Sequence, residues 1–344
     1  MALTAAAGVA GASGATTPAQ IAGQRVVWPV DGTSVSPSMR SGIVRGDVGS
    51  VILFGRNATS PTTLARLVKQ LQAVPRPAGL DEPLLVMIDQ EGGLVKRLPS
   101  LPPGASAQRM GGTLAPAAIR GQGASTGRAL RRLGVNVDLA PVCDVAAPRS
   151  DIARDQRAFG TSPGPVGADC AAFATGLQSG GVAAAAKHFP GFGRARANTD
   201  DAPVRITATR AEVLRDVSPF RAAVAAGTRM VLVGSAVYPA LSSRPAALSP
   251  RIATDLLRRD VGFRGVSVTD ALDTAALTPW GGTRGAAAAA VAAGMDLVLV
   301  AGSEAAGADA ARGVARALTD GSLSPAAART SLRRVLALRS SLGG

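Results

Sequence analysis

Near its middle the chain contains the stretch Val182-Ala183-Ala184-Ala185-Ala186-Lys187-His188-Phe189-Pro190-Gly191-Phe192-Gly193. Its apolar part has the length of a strand and shows no alternation, as expected for a strand buried on both faces. The run ends in Lys187 and His188, and His188 is the single histidine among 344 residues. A charged group on such a strand costs several kcal/mol unless it is paired or solvated. The stretch therefore predicts a buried strand that delivers polar side chains to a site.

Seven more apolar runs of similar kind occur along the chain, and longer amphipathic segments separate them. The eight predicted strands are Arg25–Val30, Ser50–Phe54, Leu84–Asp89, Val135–Val145, Val182–Phe189, Arg229–Ser235, Gly265–Ala271 and Leu297–Ala301. Helices are predicted at about 61–74, 117–133, 164–180, 211–226, 249–260, 284–294, 305–318 and 324–341. This pattern predicts an α/β fold, a (β/α)8 TIM barrel, because no glycine-rich phosphate turn of a doubly wound sheet follows the first strand.

The sequence predicts a single folded domain at residues 25–344, preceded by a leader at residues 1–24. The leader is rich in small residues and lacks the basic start of a signal peptide, so it is interpreted as a flexible segment or the remnant of an export signal. A cytoplasmic location and an exported bacterial envelope location therefore both stay open. No run reaches the length of a membrane span, so none is predicted.

Basic residues outnumber acidic ones by 37 to 23, which gives a formal charge of +14, and only three of the basic residues are lysines. The arginines are spread over most predicted helices, and aromatic residues make up 3% of the chain. A nucleic-acid surface would need clustered basic and aromatic residues, so no nucleic-acid partner is predicted. The net charge by itself predicts a loose attraction to anionic envelope polymers.

Cys143 and Cys170 stand alone, without the spacing of a metal site or a redox pair. They are predicted to be two separate small buried side chains, with a disulfide between them as the less favoured alternative. One histidine and scattered carboxylates form no ligand cluster, so neither a metal nor another cofactor is expected.

Polar side chains end five of the predicted strands, although these strands are otherwise almost free of charge. They are Asp89, Asp144, Lys187 with His188, Ser235 and Asp270. In a TIM barrel the carboxyl ends of the strands meet on one face, where active sites are built. The repeated placement therefore predicts one shared pocket.

Five sequence motifs resemble those of a known family. They are Asp89-Gln90-Glu91-Gly92-Gly93-Leu94-Val95-Lys96-Arg97, Ala140-Pro141-Val142-Cys143-Asp144-Val145, Arg157-Ala158-Phe159-Gly160, Lys187–Gly193 and Val268-Thr269-Asp270. In order and spacing they resemble the motifs of glycoside hydrolase family 3, especially its single-barrel β-N-acetylglucosaminidases. The resemblance covers roughly residues 25–340.

The resemblance implies a carbohydrate substrate and a role for each matching residue. Asp270 matches the nucleophile, and a carboxylate can attack the anomeric carbon and leave again, with net retention. The matching sugar-binding positions are Asp89, Arg97, Arg157, Lys187 and His188. Asp144 is interpreted as a structural carboxylate.

The chain departs from the family on the loop after the fifth strand, where these acetylglucosaminidases carry their acid/base as Asp-x-His. Counted from Lys187, this chain has Asn198-Thr199-Asp200 at those positions, and no second histidine exists to take the role. Two hypotheses follow. In the first, Asp200 or its neighbour Asp201 is the general acid/base of a retaining hydrolase of β-linked (N-acetyl)glucosaminides or related cell-wall sugars. In the second, the barrel binds carbohydrate or processes only activated glycosides.

Overall fold

Eight parallel strands close into a barrel in the computed structural model, which describes residues 16–343. Strand neighbours follow chain order, and β1 closes the barrel onto β10 through the pairs Val26–Val298 and Val27–Leu299. The predicted (β/α)8 fold is confirmed. The strands of the described residues, including a separate hairpin of β4 and β5, are β1 (Val26–Pro29), β2 (Ser50–Leu53), β3 (Leu85–Ile88), β4 (Gln90–Gly92), β5 (Val95–Lys96), β6 (Val137–Asp138), β7 (Ala183–Phe189), β8 (Met230–Val233), β9 (Val266–Ala271) and β10 (Leu297–Leu299).

Helices surround the barrel, and most of them begin at a serine or threonine whose side chain accepts a hydrogen bond from the first turn. Within residues 16–343 they are α1 (Pro18–Gln24), α2 (Pro37–Val44), α3 (Pro61–Gln72), α4 (Ala107–Thr113), α5 (Pro116–Arg132), α6 (Asp151–Arg154), α7 (Pro163–Ser179), α8 (Arg210–Asp216), α9 (Ser218–Ala225), α10 (Gly282–Ala292), α11 (Glu304–Thr319) and α12 (Pro325–Ser341). A π-helix spans Arg251–Asp260, and 3-10 turns span Ala246–Leu248 and Ala275–Trp280.

The predicted helix at 211–226 is divided in the structure. α8 ends at Asp216, and α9 begins at Ser218 with Pro219 in its first turn. Proline has no N–H to continue the preceding helix, but it fits the first turn of a new one. The prediction of one continuous helix was therefore wrong at this point.

The strand side chains alternate between two apolar layers. Val27, Ile52 and Met87 face the barrel interior together with residues from the other strands. Val51 and Val86 pack outward against α3. This double burial explains why the strands appear in the sequence as continuous apolar runs.

Part of the segment predicted as a leader belongs to the barrel. Thr17 begins α1 in a reciprocal capping box with Gln20, and Ile21 and Ala22 are buried. The folded domain therefore includes Pro18–Gln24, whereas residues 1–15 lie outside the described part of the chain. Among residues 16–343, no helix is both long and apolar enough to cross a membrane.

Cys143 and Cys170 form a disulfide, with their Cα atoms 5.5 Å apart. The prediction of two separate side chains was wrong, and the alternative of a disulfide is the one observed. Cys143 lies beyond the end of β6 and Cys170 lies on α7, so the packing of α7 against the segment after β6 brings together two positions 27 residues apart. Nothing local in the sequence reports that proximity.

Candidate active site

A cavity of about 470 Å³ opens at the carboxyl ends of the barrel strands. Its floor is apolar and includes Ile52, Leu139, Leu232 and Leu299. All seven residues that were predicted as catalytic or sugar-binding line this one cavity: Asp89, Arg97, Arg157, Lys187, His188, Asp200 and Asp270. Asp144 and Ser235, which were predicted to share the pocket because they end strands, are buried and do not line it. The strand ends therefore bring together side chains that are up to 181 residues apart, between Asp89 and Asp270.

A larger groove of about 630 Å³ lies elsewhere, against α1, α2 and α11. Its wall is mostly apolar and includes Trp28 and Met39, and no histidine lines it. The barrel mouth is smaller but contains the converging charged groups. Chemistry rather than volume therefore identifies it as the candidate active site.

Asp89 follows β3 and is held between two cations. Its Oδ1 accepts a hydrogen bond from Lys187 Nζ at 2.8 Å, and its Oδ2 accepts one from Arg97 Nη2 at 3.0 Å. Burial opposes ionisation of this carboxyl, but Lys187 and Arg97 outweigh that effect and keep the pKa of Asp89 well below its usual range. Asp89 is therefore a fixed carboxylate at neutral pH.

Glu91 forms the second half of the same ion network. Arg157 donates to it in a two-pronged arrangement, Nε to Oε2 at 2.9 Å and Nη2 to Oε1 at 2.8 Å, and Lys187 Nζ lies 2.6 Å from Oε1. Lys187 is buried, which would lower its pKa, but Asp89 and Glu91 outweigh burial and raise it. The lysine therefore remains a cation in a site that is largely closed to water.

The β4–β5 hairpin positions this network. At Gly92, φ is 100° and a Cβ would lie 2.4 Å from the carbonyl oxygen of Ala105, so only glycine fits the turn that returns the chain towards Asp89. The side chain of Gln90 bonds both the N–H and the carbonyl of Leu98, and its backbone N–H donates to Asp138 at 2.9 Å. Asp138 is fully buried, and burial raises its pKa to about 8, so it is largely neutral at pH 7.

His188 is oriented by Asp144, which is completely buried. The ring Nδ1 lies 2.7 Å from Asp144 Oδ2, and the carboxylate also accepts from the backbone N–H groups of His188 and Phe192. Because a carboxylate only accepts, Nδ1 is the donor, and Nε2 faces Arg157 Nη2 at 3.3 Å. Asp144 thus has the structural position that was predicted for it, beneath the cavity.

Two further carboxyl groups face the cavity, one from strand β9 and one from the loop after β7. Asp270 is half-buried near the end of β9, where its Oδ1 accepts from the N–H of Ala271 at 2.9 Å. Asp200 is exposed at the cavity mouth, yet its pKa is raised to about 6. Partial desolvation is the largest cause, followed by the negative charges of Asp270 and Asp201. The cavity therefore contains one carboxyl group that is protonated in mildly acidic solution.

The sequence interpretation missed three polar groups of the site. Glu91 lies in a quoted motif but was given no role, and its partners Arg157 and Lys187 are distant in the chain. Asp155, at the end of α6, and Asp273, on the loop after β9, also line the cavity, and neither ends an apolar run of the sequence. In the described part of the chain, no three His, Cys, Asp or Glu side chains are grouped so that they could hold a metal ion.

A parallel barrel that gathers paired carboxyl groups and oriented cations at its strand ends has the site architecture of a glycoside hydrolase. The comparison with known families agrees with this class. Residues 21–338 match the family described as "Glycosyl hydrolase family 3 N terminal domain", and the chain belongs to that family.

Named relatives and solved structures agree with this membership. A β-hexosaminidase of Nitrosomonas eutropha is 32% identical over 279 residues, which cover 79% of this chain and 78% of that protein. The crystal structure of a β-N-acetylhexosaminidase from Beutenbergia cavernae superposes with a TM-score of 0.86 at 34% identity and covers 94% of this chain and 98% of that one. A family 3 β-N-acetylglucosaminidase from Paenibacillus sp. has a TM-score of 0.90 at 32% identity over 96% of this chain, which spans 64% of that longer protein.

Proposed function

We propose that this glycoside hydrolase cleaves β-linked N-acetylglucosaminides or related cell-wall sugars by a double displacement with retention. Asp270 is the nucleophile, and Asp200 is the general acid/base in place of the family histidine. The observation that carries the proposal is that Asp200, whose pKa is raised to about 6, opens into the same cavity as Asp270. Relatives named β-hexosaminidase support the choice of substrate class.

The first step needs one carboxylate and one carboxylic acid at the same time. Asp270 would attack the anomeric carbon as the glycosidic bond breaks, and the Asp200 carboxyl would give its proton to the departing oxygen. In the second step the Asp200 carboxylate would take a proton from water, and that water would displace Asp270 from the anomeric carbon. The raised pKa of Asp200 suits both duties, because the group changes protonation state between the steps.

The ion network supports the binding part of the proposal. Asp89 presents acceptor oxygens, and Lys187, Arg97 and Arg157 present donors in directions that their ion pairs fix. Sugar hydroxyls need both kinds of group, and such contacts help to hold a distorted ring. We assign these residues and His188 to the substrate.

The alternative function is a barrel that binds carbohydrate or cleaves only activated glycosides. It rests on one observation, the exposure of Asp200, which distinguishes this group from a fully enclosed acid. General acid catalysis contributes on the order of 10²–10⁴ in rate, so its loss would hide the activity on natural glycosides.

Two aryl N-acetyl-β-glucosaminides, one with an activated and one with an unactivated leaving group, separate these functions. The proposal expects the wild type to hydrolyse both and Asp270→Ala to hydrolyse neither. Hydrolysis of only the activated substrate, abolished by Asp270→Ala, would identify a nucleophile without an acid. No hydrolysis of either substrate, together with sugar binding measured by calorimetry, would favour the binding protein.

A further inference from the structure

The loop that carries Asp200 contains a turn closed by the side chain of Asn198. Asn198 Oδ1 accepts a hydrogen bond from the backbone N–H of Asp200 at 3.0 Å. The backbone carbonyl of Asn198 accepts from the N–H groups of Asp201 and Ala202, both at 3.3 Å. Asn198 lines the same cavity as Asp200, so the turn stands at the edge of the site.

The turn is also tied to the segment that follows the nucleophile strand. The carbonyl of Thr199 accepts from the N–H of Ala276 at 3.3 Å, and the carbonyl of Asp200 accepts from the N–H of Ala275 at 3.2 Å. Both donors lie in the 3-10 turn Ala275–Trp280, which begins a few residues after Asp270. Thr199 is 4% exposed, so it anchors the loop while Asp200 remains open to solvent.

The Asn198 side chain is neutral, and this matters for Asp200 in addition to the hydrogen bond. Asp200 already faces Asp201 on its own loop, Asp270 on β9, His188 on β7 and Arg157 on the loop after α6. An aspartate at position 198 would offer the same acceptor oxygen to the backbone N–H, but it would add another negative charge near the acid. Asparagine makes the bond without that charge.

We propose that Asn198 is a positioning residue for Asp200, and that it acts together with the backbone N–H of Ala275. The Asn198 bond closes the turn of the acid loop, and the Ala275 N–H bond ties that turn to the segment after the nucleophile strand. Together they keep the Asp200 carboxyl and Asp270 facing the cavity in a fixed relation. Because the Asn198 side chain is neutral, it adds no further charge to those that already act on the pKa of Asp200. This inference rests on the proposed function, because it assigns Asp200 the role of acid.

Three variants and one control separate positioning from a general structural role. Asn198→Ala removes the side-chain acceptor, and Asn198→Asp keeps it and adds a charge. Ala275→Pro removes the N–H donor, and the backbone accepts proline here. Thr274 has φ −106° and ψ 162°, the region favoured before proline, and Ala275 is the first residue of its turn. Ala275→Gly is the matched control, because it keeps the N–H.

Each variant is assayed on the activated and the unactivated aryl N-acetyl-β-glucosaminide, with kcat and KM over a pH series and with thermal unfolding as a check of the fold. Asn198→Ala and Ala275→Pro should lower kcat/KM about tenfold on the unactivated substrate, the worth of roughly one hydrogen bond. On the activated substrate, whose leaving group needs little protonation in the first step, they should lower kcat/KM less than about twofold. KM on the unactivated substrate should stay unchanged, and Ala275→Gly should retain wild-type kcat/KM on both substrates within about twofold.

Asn198→Asp should keep wild-type kcat in acidic solution. In its pH–rate profile on the unactivated substrate, the alkaline limb should move upward by about 0.5 to 1 pH unit, because the added negative charge raises the pKa of Asp200. This near-isosteric variant tests the inference even if proline at position 275 prevents folding. Equal losses on both substrates, or an unmoved limb in Asn198→Asp, would overturn the positioning role and leave the proposed function standing. A wild type that hydrolyses neither substrate would overturn the proposed function and this inference with it.

Discussion

At the scale of single residues, the cavity is organised by charges that neutralise one another. Lys187 lies between Asp89 and Glu91, and Arg97 and Arg157 close the two ends of the network. Burial alone would favour the neutral forms of these groups, but pairing keeps them ionised. Under the proposed function, a sugar would meet donors and acceptors that are already oriented, and little reorganisation would remain for the transition state.

The raised pKa of Asp200 predicts an acidic pH profile. The proposed acid must be protonated to donate, so kcat/KM on the unactivated substrate should be highest below about pH 6 and should fall tenfold per unit above it. Asp200→Asn should remove this alkaline limb and lower kcat/KM by about 10²–10⁴ at pH 5. Initial rates between pH 4 and 8 provide the measurement. Unchanged turnover of the unactivated substrate by Asp200→Asn would exclude Asp200 as the acid.

Glu91 is expected to contribute to both stability and binding. Glu91→Ala leaves Lys187 with one buried partner and Arg157 without its two-pronged acceptor, and breaking a buried ion pair costs about 3–5 kcal/mol. The free energy of unfolding in urea measures this cost. Asp309→Ala, which removes an exposed partner of Arg284 and Arg312, is the control and should cost less than about 1 kcal/mol. Similar losses in both variants would contradict the buried network.

Individual carboxylates could be predicted from the sequence to the extent that they follow apolar strands. Asp89 and Asp270 interrupt or end such runs and line the same cavity, whereas Asp144 and Ser235 end such runs and are buried outside its lining. Glu91 could not be found in this way, because its role depends on two cations 66 and 96 residues further along the chain. Charge pairing over such separations exists only after the barrel has closed.

At the scale of elements, the ends of strands depend on hydrogen bonds and loop paths that the periodicity of apolar residues does not show. The strand predicted at Val135–Val145 contributes only Val137–Asp138 to the barrel sheet. The rest forms an extended segment that carries Asp144 under His188. Apolar composition predicted burial of the whole run, but the regular ladder ends at Asp138, and Pro141 offers no N–H to continue it. Pairing with β7 resumes only as an isolated bridge between Val142 and Lys187.

α5 and α7 approach each other through glycines, and this contact predicts opposite effects of two similar substitutions. A Cβ at Gly123 would lie 2.4 Å from the carbonyl oxygen of Phe173, whereas one at Gly121 would meet nothing within 4 Å. Gly123→Ala should therefore destabilise the protein by more than about 1 kcal/mol. Gly121→Ala should stabilise it by about 0.5–1 kcal/mol through helix propensity. Chemical denaturation measures both, and the same sign for the two variants would contradict the close packing of these helices.

At the scale of the whole molecule, barrel closure connects distant parts of the chain. It brings β1 against β10 and seats α1 on the barrel. It also collects charges of both signs at one mouth, although the net charge of the chain is +14. The loose attraction to anionic envelope polymers stays a prediction from that net charge.

The disulfide between Cys143 and Cys170 gives a prediction for global stability. Closing a loop of 27 residues should stabilise the fold by about 3 kcal/mol, so the double variant Cys143→Ala/Cys170→Ala should lose that amount in urea unfolding. Alkylation of the unfolded, unreduced protein, followed by mass measurement, checks the bond directly and should label neither cysteine. Two labelled thiols would show that the bond is absent in solution.

The sequence by itself determined the barrel, the side of it that carries the site, and the residue types gathered there. Apolar runs and the polar residues that end them are local properties, and the parallel sheet turns their order into geometry. Only the tertiary structure decided which charges pair, that Asp144 lies beneath His188, that the cysteines meet, and that Asn198 holds the turn of Asp200. These facts depend on distances between groups far apart in the chain or on the path of a loop, and neither is encoded in periodicity.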